Sequence, residues 1–329
     1  MKPARLAPVE ALEQSDALAP PWPGHAVRLD GSVVYERDTA PTSATAEPAL
    51  YLHGLGGSSQ NWTDVAGLLA SRFDGRAIDL PGFGRSAPAA RYTVDAFAAR
   101  VLRWIEESGR GPVHLVGNSL GGAIAVKVAV LRPELIRTLT LISPALPFLD
   151  PRRSLQGRLV PLLALPRADI VAARRLARID PGDLTRLVLE ACFGDPAAVS
   201  PQRFAEAVEE AKLRYELPWY ADAYVRTLRG LVGSFLRAYL PGAGSLWRTA
   251  ARVQAPTLVI GGDQDRLVDV RVAPQAARHI KDSRLVILPG VGHVAQMEAP
   301  VLVARAIVGM LYELRKNAPR TSSAVAMTA

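Results

Sequence analysis

The sequence predicts an α/β fold with a mostly parallel central sheet, helices on both faces of that sheet and an inserted all-helical cap. Up to about residue 145, short apolar segments typical of strands alternate with segments of helical periodicity, and the alternation resumes at residue 257. Strands of this kind are buried on both faces, which indicates a parallel sheet covered by helices. Between the two parts the pattern is helical only, which indicates an insertion over the carboxyl edge of the sheet.

Each predicted strand is a short apolar segment, and the first two strands form a hairpin. Residues 25–37 alternate around Asp30-Gly31, a dipeptide that favours a tight hairpin turn. The strands that follow are predicted at residues 49–53, 76–80, 113–116, 138–142, 257–261 and 285–288.

The predicted helices carry apolar residues on one face and begin at residues that cap helices. After Thr93, for example, Val94 and Phe97 begin an apolar face at helical spacing. Asp183 and Ser200-Pro201 mark the starts of two helices in the cap. Further helices are predicted at residues 62–71, 120–131, 219–240, 272–280 and 300–316.

These elements divide the chain into a core, a cap and two tails. Residues 25–145 and 251–316 form the α/β core, and residues 146–250 form the helical cap. Residues 1–24 are rich in Pro, Ala and Glu, and residues 317–329 are rich in Ser, Thr and Ala. We expect both tails to be disordered, because neither has an apolar pattern that could bury it.

The composition points to a globular protein. Of the 329 residues, 49% are hydrophobic, so a sizeable core can be buried. No apolar stretch reaches the roughly 20 residues that span a bilayer, and we expect no secretory signal. The single cysteine, Cys192, excludes an internal disulfide and leads us to expect a cytoplasmic location.

The net charge of +8 does not indicate a nucleic-acid partner. Residues 151–252 hold 16 Lys and Arg against 10 Asp and Glu, so most of the excess lies in or beside the cap. Its arginines alternate with Leu, Val and Ala as on solvated helix faces, and the region lacks a nucleic-acid motif. We therefore expect no nucleic acid, while contact with anionic lipid or an acidic substrate stays open.

The motif that carries the chemistry is GNSLG at Gly117–Gly121, between a predicted strand and the next helix. A G-x-S-x-G sequence in this context forms a strained turn that lifts the serine above the sheet, so the flanking residues must be small. Gly117 and Gly121 meet this need, and the helix N-terminus behind Ser119 favours developing negative charge. A chance match in a glycine-rich turn is the alternative, and the flanking strand and helix argue against it.

A serine nucleophile needs a base, and His293 is the candidate among the five histidines. It lies in a glycine-rich loop after the last predicted strand, where a side chain can project over the sheet edge. The carboxylate that would orient it follows the preceding strand, where Asp263 and Asp265 are the candidates. We assign Asp265 because it lies further into the loop, treat Asp263 as a turn residue and regard Asp269 as distant.

A tetrahedral intermediate needs N–H donors for its oxyanion. His53-Gly54-Leu55-Gly56 follows a predicted strand, and the predicted donors are the backbone amides of Leu55 and of Leu120, the residue after the serine. His53, Gly54, Gly117 and Gly121 are predicted to support the loop and the elbow. A plain glycine-rich turn is the alternative, whereas a phosphate-binding loop is excluded because G-x-x-x-x-G-K-[ST] does not occur. We expect no metal and no cofactor.

At these positions the sequence resembles the α/β-hydrolase family, and specifically its capped members. The motifs HG-x-G, D-x-P-G-x-G-x-S, G-N-S-x-G-G, G-x-x-D and GH occur in the family's order at His53–Gly56, Asp79–Ser86, Gly117–Gly122, Gly262–Asp265 and Gly292-His293. The resemblance spans residues 25–145 and 251–315 and leaves the cap unmatched. It implies the α/β-hydrolase fold, attack of the elbow serine on a carbonyl, and hydrolysis of an acyl-enzyme by water.

The resemblance leaves the reaction open. Serine at the elbow argues against haloalkane dehalogenases and epoxide hydrolases, which have aspartate there. We expect a carboxylic ester of an apolar acyl group as substrate, as for carboxylesterases and lipases. Asn118 before the serine makes C–C hydrolysis of the meta-cleavage-product type the alternative, although those relatives carry G-P-G and a Trp where this chain has Gly56-Gly57-Ser58 and Val294. A non-catalytic binding protein of this fold is the third interpretation.

The cap is expected to select the substrate. Around residues 155–179 a leucine-rich stretch precedes a helical pattern with Ile170 and Leu176 opposite arginines. This apolar face either packs on the core or lines an acyl-chain tunnel whose basic rim contacts anionic lipid. The expected partner is a small ester or lipid-like substrate, and peripheral membrane contact through the cap is an open alternative.

Overall fold

The computed structural model describes residues 1–14, 19–148, 171, 174–175, 178–238, 240 and 244–317. The strands in these residues are β1 (Lys2–Pro3), β2 (Gly24–Leu29), β3 (Ser32–Thr39), β4 (Glu47–Leu52), β5 (Phe73–Ile78), β6 (Val113–Asn118), β7 (Ile136–Ile142), β8 (Thr257–Gly262) and β9 (Ser283–Leu288). They form one sheet in the order β1-β9-β8-β7-β6-β4-β5-β3-β2. Among the described strands, β3 alone runs in the opposite direction to the others, so the sheet is mostly parallel, as the sequence predicts.

The hairpin of β2 and β3 forms around the predicted turn. Leu29 pairs with Ser32, which leaves Asp30 and Gly31 as a two-residue turn with φ of 48° and 72°. Positive φ at both positions matches the twist of the two strands, and Asp and Gly are among the residues that accept it.

Helices connect the strands. They are α1 (Thr63–Leu68), α2 (Val94–Ser108), α3 (Leu120–Leu131), α4 (Pro181–Cys192), α5 (Pro201–Tyr215), α6 (Tyr220–Arg237), α7 (Leu246–Ala250), α8 (Val272–His279), α9 (Ala295–Glu298) and α10 (Pro300–Asn317). Within the described part of the chain, no helix is both long and apolar enough to cross a membrane.

The helices cover both faces of the sheet. Residues of α2, α3, α7 and α8 belong to one hydrophobic cluster, and residues of α1, α9 and α10 belong to a second. In β4, Leu50 and Leu52 belong to the first cluster, whereas Ala49 and Tyr51 belong to the second. This alternation follows from the two-residue period of a strand, and it explains why the strands read as continuous apolar runs.

Between β7 and β8 the described residues form helices and no strand. We use "the helical insert" for residues 178–238, which contain α4 to α6. The predicted cap boundary at residue 250 differs from the structure, because α7 packs against α3 and α8 of the core. Leu246 and Ala250 are buried in the first cluster, so α7 belongs with the core. Most of residues 155–179, for which the sequence predicts a basic-rimmed apolar face, lie outside the described residues.

The N-terminus differs from the expected disordered tail over residues 1–24. β1 pairs in parallel with β9, and the amide of Ala7 donates to the carbonyl of Arg305 at 3.0 Å. Ala7 is buried, and Trp22 Nε1 donates to the carbonyl of Thr63 at 2.8 Å. These attachments are mainly main-chain hydrogen bonds, which leave no pattern in the composition of the segment. The other predicted tail, residues 317–329, lies outside the described residues except for Asn317, which is the last residue of α10.

Candidate active site

Ser119 lies between β6 and α3, at the carboxyl edge of the sheet. Its φ of 53° and ψ of −115° fall outside the regions that L-residues ordinarily occupy, so the backbone is strained there. A Cβ on Gly117 would lie 2.4 Å from the carbonyl oxygen of Gly121, and a Cβ on Gly121 would lie 2.2 Å from that of Leu52. No side chain fits at either distance, and the turn therefore requires glycine at both positions.

His293 and Asp265 form a buried pair at the ends of β9 and β8. Nδ1 of His293 lies 2.8 Å from Oδ2 of Asp265, and both side chains are almost fully buried. The other carboxylate oxygen accepts hydrogen bonds from the amides of Leu267 and Val268, each at 2.9 Å. Burial alone would raise the pKa of Asp265, but the charge and hydrogen bond of His293 and these two amides together lower it. Asp265 is therefore held as a carboxylate.

The neighbouring carboxylates have other partners. Oδ1 of Asp263 accepts a hydrogen bond from the amide of Gly290 at 2.8 Å, and Asp269 pairs with Arg271. Asp263 thus fastens the loop before His293, whereas the carboxylate of Asp265 contacts the imidazole itself. With Asp265 as acceptor, Nδ1 of His293 carries a proton, which leaves Nε2 as an acceptor on the neutral ring.

The loop after β4 approaches Ser119 closely. A Cβ on Gly54 would lie 3.2 Å from the Cβ of Ser119, and Gly54, Leu55 and Ser119 line the same cavity. In the described residues, the amides of Leu55 and Leu120 donate no hydrogen bond to another protein group. Both amides stay candidates for the oxyanion donors that the sequence predicts.

His53 fixes the start of this loop. Its Nε2 accepts from the amide of Leu80 at 2.9 Å, so its Nδ1 carries the proton and donates to the carbonyl of Gly54 at 2.7 Å. Burial is the main reason that the pKa of His53 falls to about 3, and the charge of Arg214 adds to it. His53 is neutral at ordinary pH and supports the loop rather than exchanging protons.

The structure also reveals site residues that the sequence reasoning did not assign. Asn118 Nδ2 donates to the carbonyls of Ile142 and His293, each at 3.1 Å, and so ties the strand of the serine to the histidine. Arg214 of α5 donates from Nη1 to the carbonyl of Gly56 at 2.6 Å. Asn118 stands inside the GNSLG motif and could have been suspected there. Arg214 carries no such signal, because the fold alone brings α5 to this loop.

The cavity that contains Ser119 and His293 has a volume of about 330 Å³. The helical insert supplies most of its apolar wall, and Arg214 is the only Arg, Lys, Asp or Glu among its described lining residues. The aliphatic and phenylalanine residues of the insert that line it are Leu184, Leu187, Val188, Leu189, Ala191, Phe193, Ala207 and Ala211, and Tyr220 and Tyr224 add two aromatic rings. Cys192 lies in the same wall. Burial is the main reason that the pKa of its thiol rises to about 12, and the negative charges of Asp265 and Glu298 add to the effect.

A cluster of potential cation ligands lies outside this cavity, and its negative charge is already balanced by an arginine. Ligand atoms of His25, Glu36 and Asp38 lie within 4.8 Å of one another on β2 and β3. However, Nε of Arg76 lies 3.0 Å from Asp38, and Trp104 Nε1 donates to Glu36 at 2.6 Å. The arginine already supplies positive charge at this position.

The names of similar proteins indicate several classes of activity. The chain is 30% identical over 257 residues to a dihydrolipoyllysine-residue acetyltransferase component of an acetoin cleaving system from Cupriavidus necator, covering 77% of this chain but 60% of that protein. It is 28% identical to a 2-hydroxy-6-oxo-6-(2'-aminophenyl)hexa-2,4-dienoic acid hydrolase from Metapseudomonas resinovorans, covering 80% and 84%. It is 25% identical to Lipase 3 from a Moraxella species, covering 78% and 75%. The chain thus spans about three-fifths of the length of the acetyltransferase component.

Solved structures share the fold. A bacterial membrane phospholipase A superposes with a TM-score of 0.71 at 24% identity, over 90% of this chain and 87% of that one. A serine hydrolase of carbazole degradation superposes with a TM-score of 0.66 at 24% identity, over 89% and 99%. Residues 48–300, more than half of the chain, match the family described as alpha/beta hydrolase fold. The fold expected from the sequence is confirmed, and the chain belongs to the alpha/beta hydrolase fold family.

Proposed function

We propose that this protein is a serine hydrolase that cleaves a carboxylic ester of an apolar acyl group. The observation that carries the proposal is that His293, paired with Asp265 at 2.8 Å, lines the same cavity as the strained Ser119. A buried carboxylate that holds one nitrogen of a histidine, with the other nitrogen free for a serine, is the arrangement used in acyl transfer.

In the proposed reaction, Ser119 Oγ attacks the ester carbonyl while Nε2 of His293 accepts the hydroxyl proton. The amides of Leu55 and Leu120 donate to the oxyanion of the tetrahedral intermediate. The intermediate collapses, the C–O bond to the alcohol breaks, and the alcohol leaves with the proton from His293. Water then gives a proton to Nε2 and attacks the acyl carbon. The bond from that carbon to Ser119 Oγ breaks, Oγ takes the proton back from Nε2, and the acid is released. Asp265 remains ionised and stabilises the imidazolium in both steps.

The apolar wall of the insert supports an ester of an apolar acyl group over a strongly polar substrate. Such a wall removes hydrocarbon from water, which favours binding in proportion to the area buried. The similarity to Lipase 3 agrees with this choice.

Hydrolysis of a C–C bond is the second candidate, and Arg214 is the observation that favours it. The relative from Metapseudomonas resinovorans is named for a dienoic acid substrate. Arg214 places a guanidinium on the cavity, where it could pair with such a carboxylate. The catalytic residues would be the same, so the substrate decides between the two activities.

A cytoplasmic location stays a prediction.

The test is Ser119→Ala, assayed with p-nitrophenyl esters and with a fluorophosphonate that labels activated serines. We expect labelling to disappear and kcat to fall by about 10³ or more, because the nucleophile is lost. Ser143→Ala is the control: Ser143 follows β7 at the same sheet edge, also with positive φ, and does not line the cavity.

Undiminished turnover in Ser119→Ala would refute the proposal. Wild-type protein that takes no fluorophosphonate and hydrolyses no ester would favour a non-catalytic binding protein. Turnover of a 2-hydroxy-6-oxo-dienoate well above that of every ester would favour the C–C hydrolase.

A further inference from the structure

The loop that carries His293 lies in main-chain contact with the helical insert. A Cβ on Gly292 would lie 2.3 Å from the carbonyl oxygen of Cys192 and 2.5 Å from the amide nitrogen of Gly194. A Cβ on Gly194 would in turn lie 2.2 Å from the carbonyl oxygen of Gly290. No side chain separates the two segments, so a displacement of one is transmitted to the other.

Glu298 joins these segments through its carboxylate. Oε2 accepts hydrogen bonds from the amides of Gly292 at 2.7 Å and Gly194 at 3.1 Å, and Oε1 accepts from the amide of Asp195 at 2.9 Å. Charged acceptors make stronger hydrogen bonds than neutral ones. One side chain therefore holds the residue before His293 and two residues of the insert at once.

His293 has a direct bond to the same part of the insert. Its amide donates to the carbonyl of Cys192 at 2.6 Å, at the end of α4. Leu187 and Leu189 of α4 line the cavity in which Ser119 lies. The helix that would contact the substrate and the backbone of the histidine thus form one connected unit, and Glu298 fastens it.

We propose that Glu298 is a positioning residue that holds His293 in register with Ser119 by clamping the histidine loop to the helical insert. The inference rests on the proposed hydrolytic function. The carboxylate of Glu298 is occupied by backbone amides and contacts neither the reacting atoms nor the substrate. It acts through the position of the imidazole. Because the base works only in the bond-making steps, loss of the clamp lowers kcat more than it changes KM.

The variants are Glu298→Gln and Glu298→Ala, with Glu190→Gln as the control. Gln keeps one carbonyl oxygen, which can retain the two bonds of Oε2, and places an NH₂ group against the amide of Asp195. Ala removes all three bonds. Glu190 is an exposed carboxylate on α4 that does not line the cavity.

We measure kcat and KM with a p-nitrophenyl ester, counting active sites by fluorophosphonate titration. We expect kcat per active site to fall about tenfold in Glu298→Gln and about 100-fold in Glu298→Ala, with KM changed by less than about threefold in both. Glu190→Gln should match wild type. Amide hydrogen exchange can be measured without turnover. In Glu298→Ala it should become faster in both segments, residues 289–293 and residues 192–195.

Equal kcat per active site in wild type and both variants would overturn the inference, even if the variants melt earlier, because that is the result of structural support alone. So would exchange that rises in one segment and not in the other. An inactive, unlabelled wild type would instead refute the proposed hydrolytic function, and the exchange measurement would still decide whether the clamp exists.

Discussion

Two carboxylates after β8 stand two residues apart, and their hydrogen bonds assign them different tasks. Asp265 accepts from the imidazole of His293 and from two amides, so every oxygen is engaged in orienting the ring. Asp263 accepts from the amide of Gly290 and holds only the loop. A charge that stabilises an imidazolium cannot be replaced by an amide, whereas an amide oxygen can still accept from a backbone N–H.

This difference predicts unequal effects of the two isosteric substitutions. Asp265→Asn should lower kcat by about 10³ or more, because its NH₂ group faces Nδ1 and favours the wrong tautomer. Asp263→Asn should lower kcat by less than about tenfold, because the bond to Gly290 can persist. Ester kinetics measure both, with thermal unfolding as a check on the fold. The reverse ranking would show that Asp263 is the orienting carboxylate.

His53 makes stability depend on pH, and the sign follows from its lowered pKa. The pKa is about 3 in the folded protein against 6.5 in the unfolded chain, so the unfolded state takes up the proton first. The contribution of His53 is fully present above about pH 6.5 and is lost as pH falls from there towards 3. His114 is also buried with a lowered pKa and acts in the same direction.

We therefore expect the free energy of unfolding of wild type to fall more steeply with decreasing pH than that of His53→Gln. Between about pH 6 and about pH 4 the difference in slope should approach about 1.4 kcal/mol per pH unit, the value for one proton. Gln keeps a donor and an acceptor but does not titrate, and His114 is present in both proteins. Urea unfolding at a series of pH values measures the slopes; equal slopes would show that position 53 does not set them.

At the scale of elements, the sequence predicts what depends on neighbours along the chain. Strands and helices follow from apolar periodicity, and Ser119 follows from a strand, a turn and a helix that are contiguous. His293 and Asp265 follow because loops at the carboxyl ends of parallel strands meet at one edge. The strands, the helices and Ser119 need only local pattern, whereas the choice of His293 also rests on the chain order Ser, Asp, His that the family resemblance implies.

What the sequence does not predict depends on contacts between segments far apart in the chain. Glu298 binds amides more than 100 residues away, and amides of Gly194 and Asp195 have no signature in the sequence. The position of α7 on the core depends on its packing against α3, and helical periodicity is the same for a core helix and a cap helix. The attachment of β1 to β9 is likewise a matter of main-chain hydrogen bonds.

At the scale of the whole molecule, the helical insert and the core enclose the cavity between them. Leu187 and Val188 of α4 line it and yet are 56% and 49% exposed, so an apolar surface continues from the cavity to the outside. Arg174, Arg175 and Arg178 precede α4 and are exposed. An apolar opening on a helix that exposed arginines precede in the chain suits a substrate that is presented from a lipid surface, and we propose membrane contact on this ground.

This arrangement predicts how turnover depends on the acyl chain. For p-nitrophenyl esters from acetate to palmitate, kcat/KM should rise with chain length until the cavity is filled, by at most about 0.8 kcal/mol for each CH₂ removed from water. Leu187→Asn should reduce the rise, because it puts a polar group at the opening. Leu236→Asn should not, since Leu236 is similarly exposed, at 61%, but does not line the cavity.

If the insert contacts lipid, anionic vesicles should raise the rate of hydrolysis of long-chain esters further, and this increase should be smaller at high salt. If acetate is the best substrate and vesicles change nothing, the cavity binds a small acyl group and the membrane proposal is wrong.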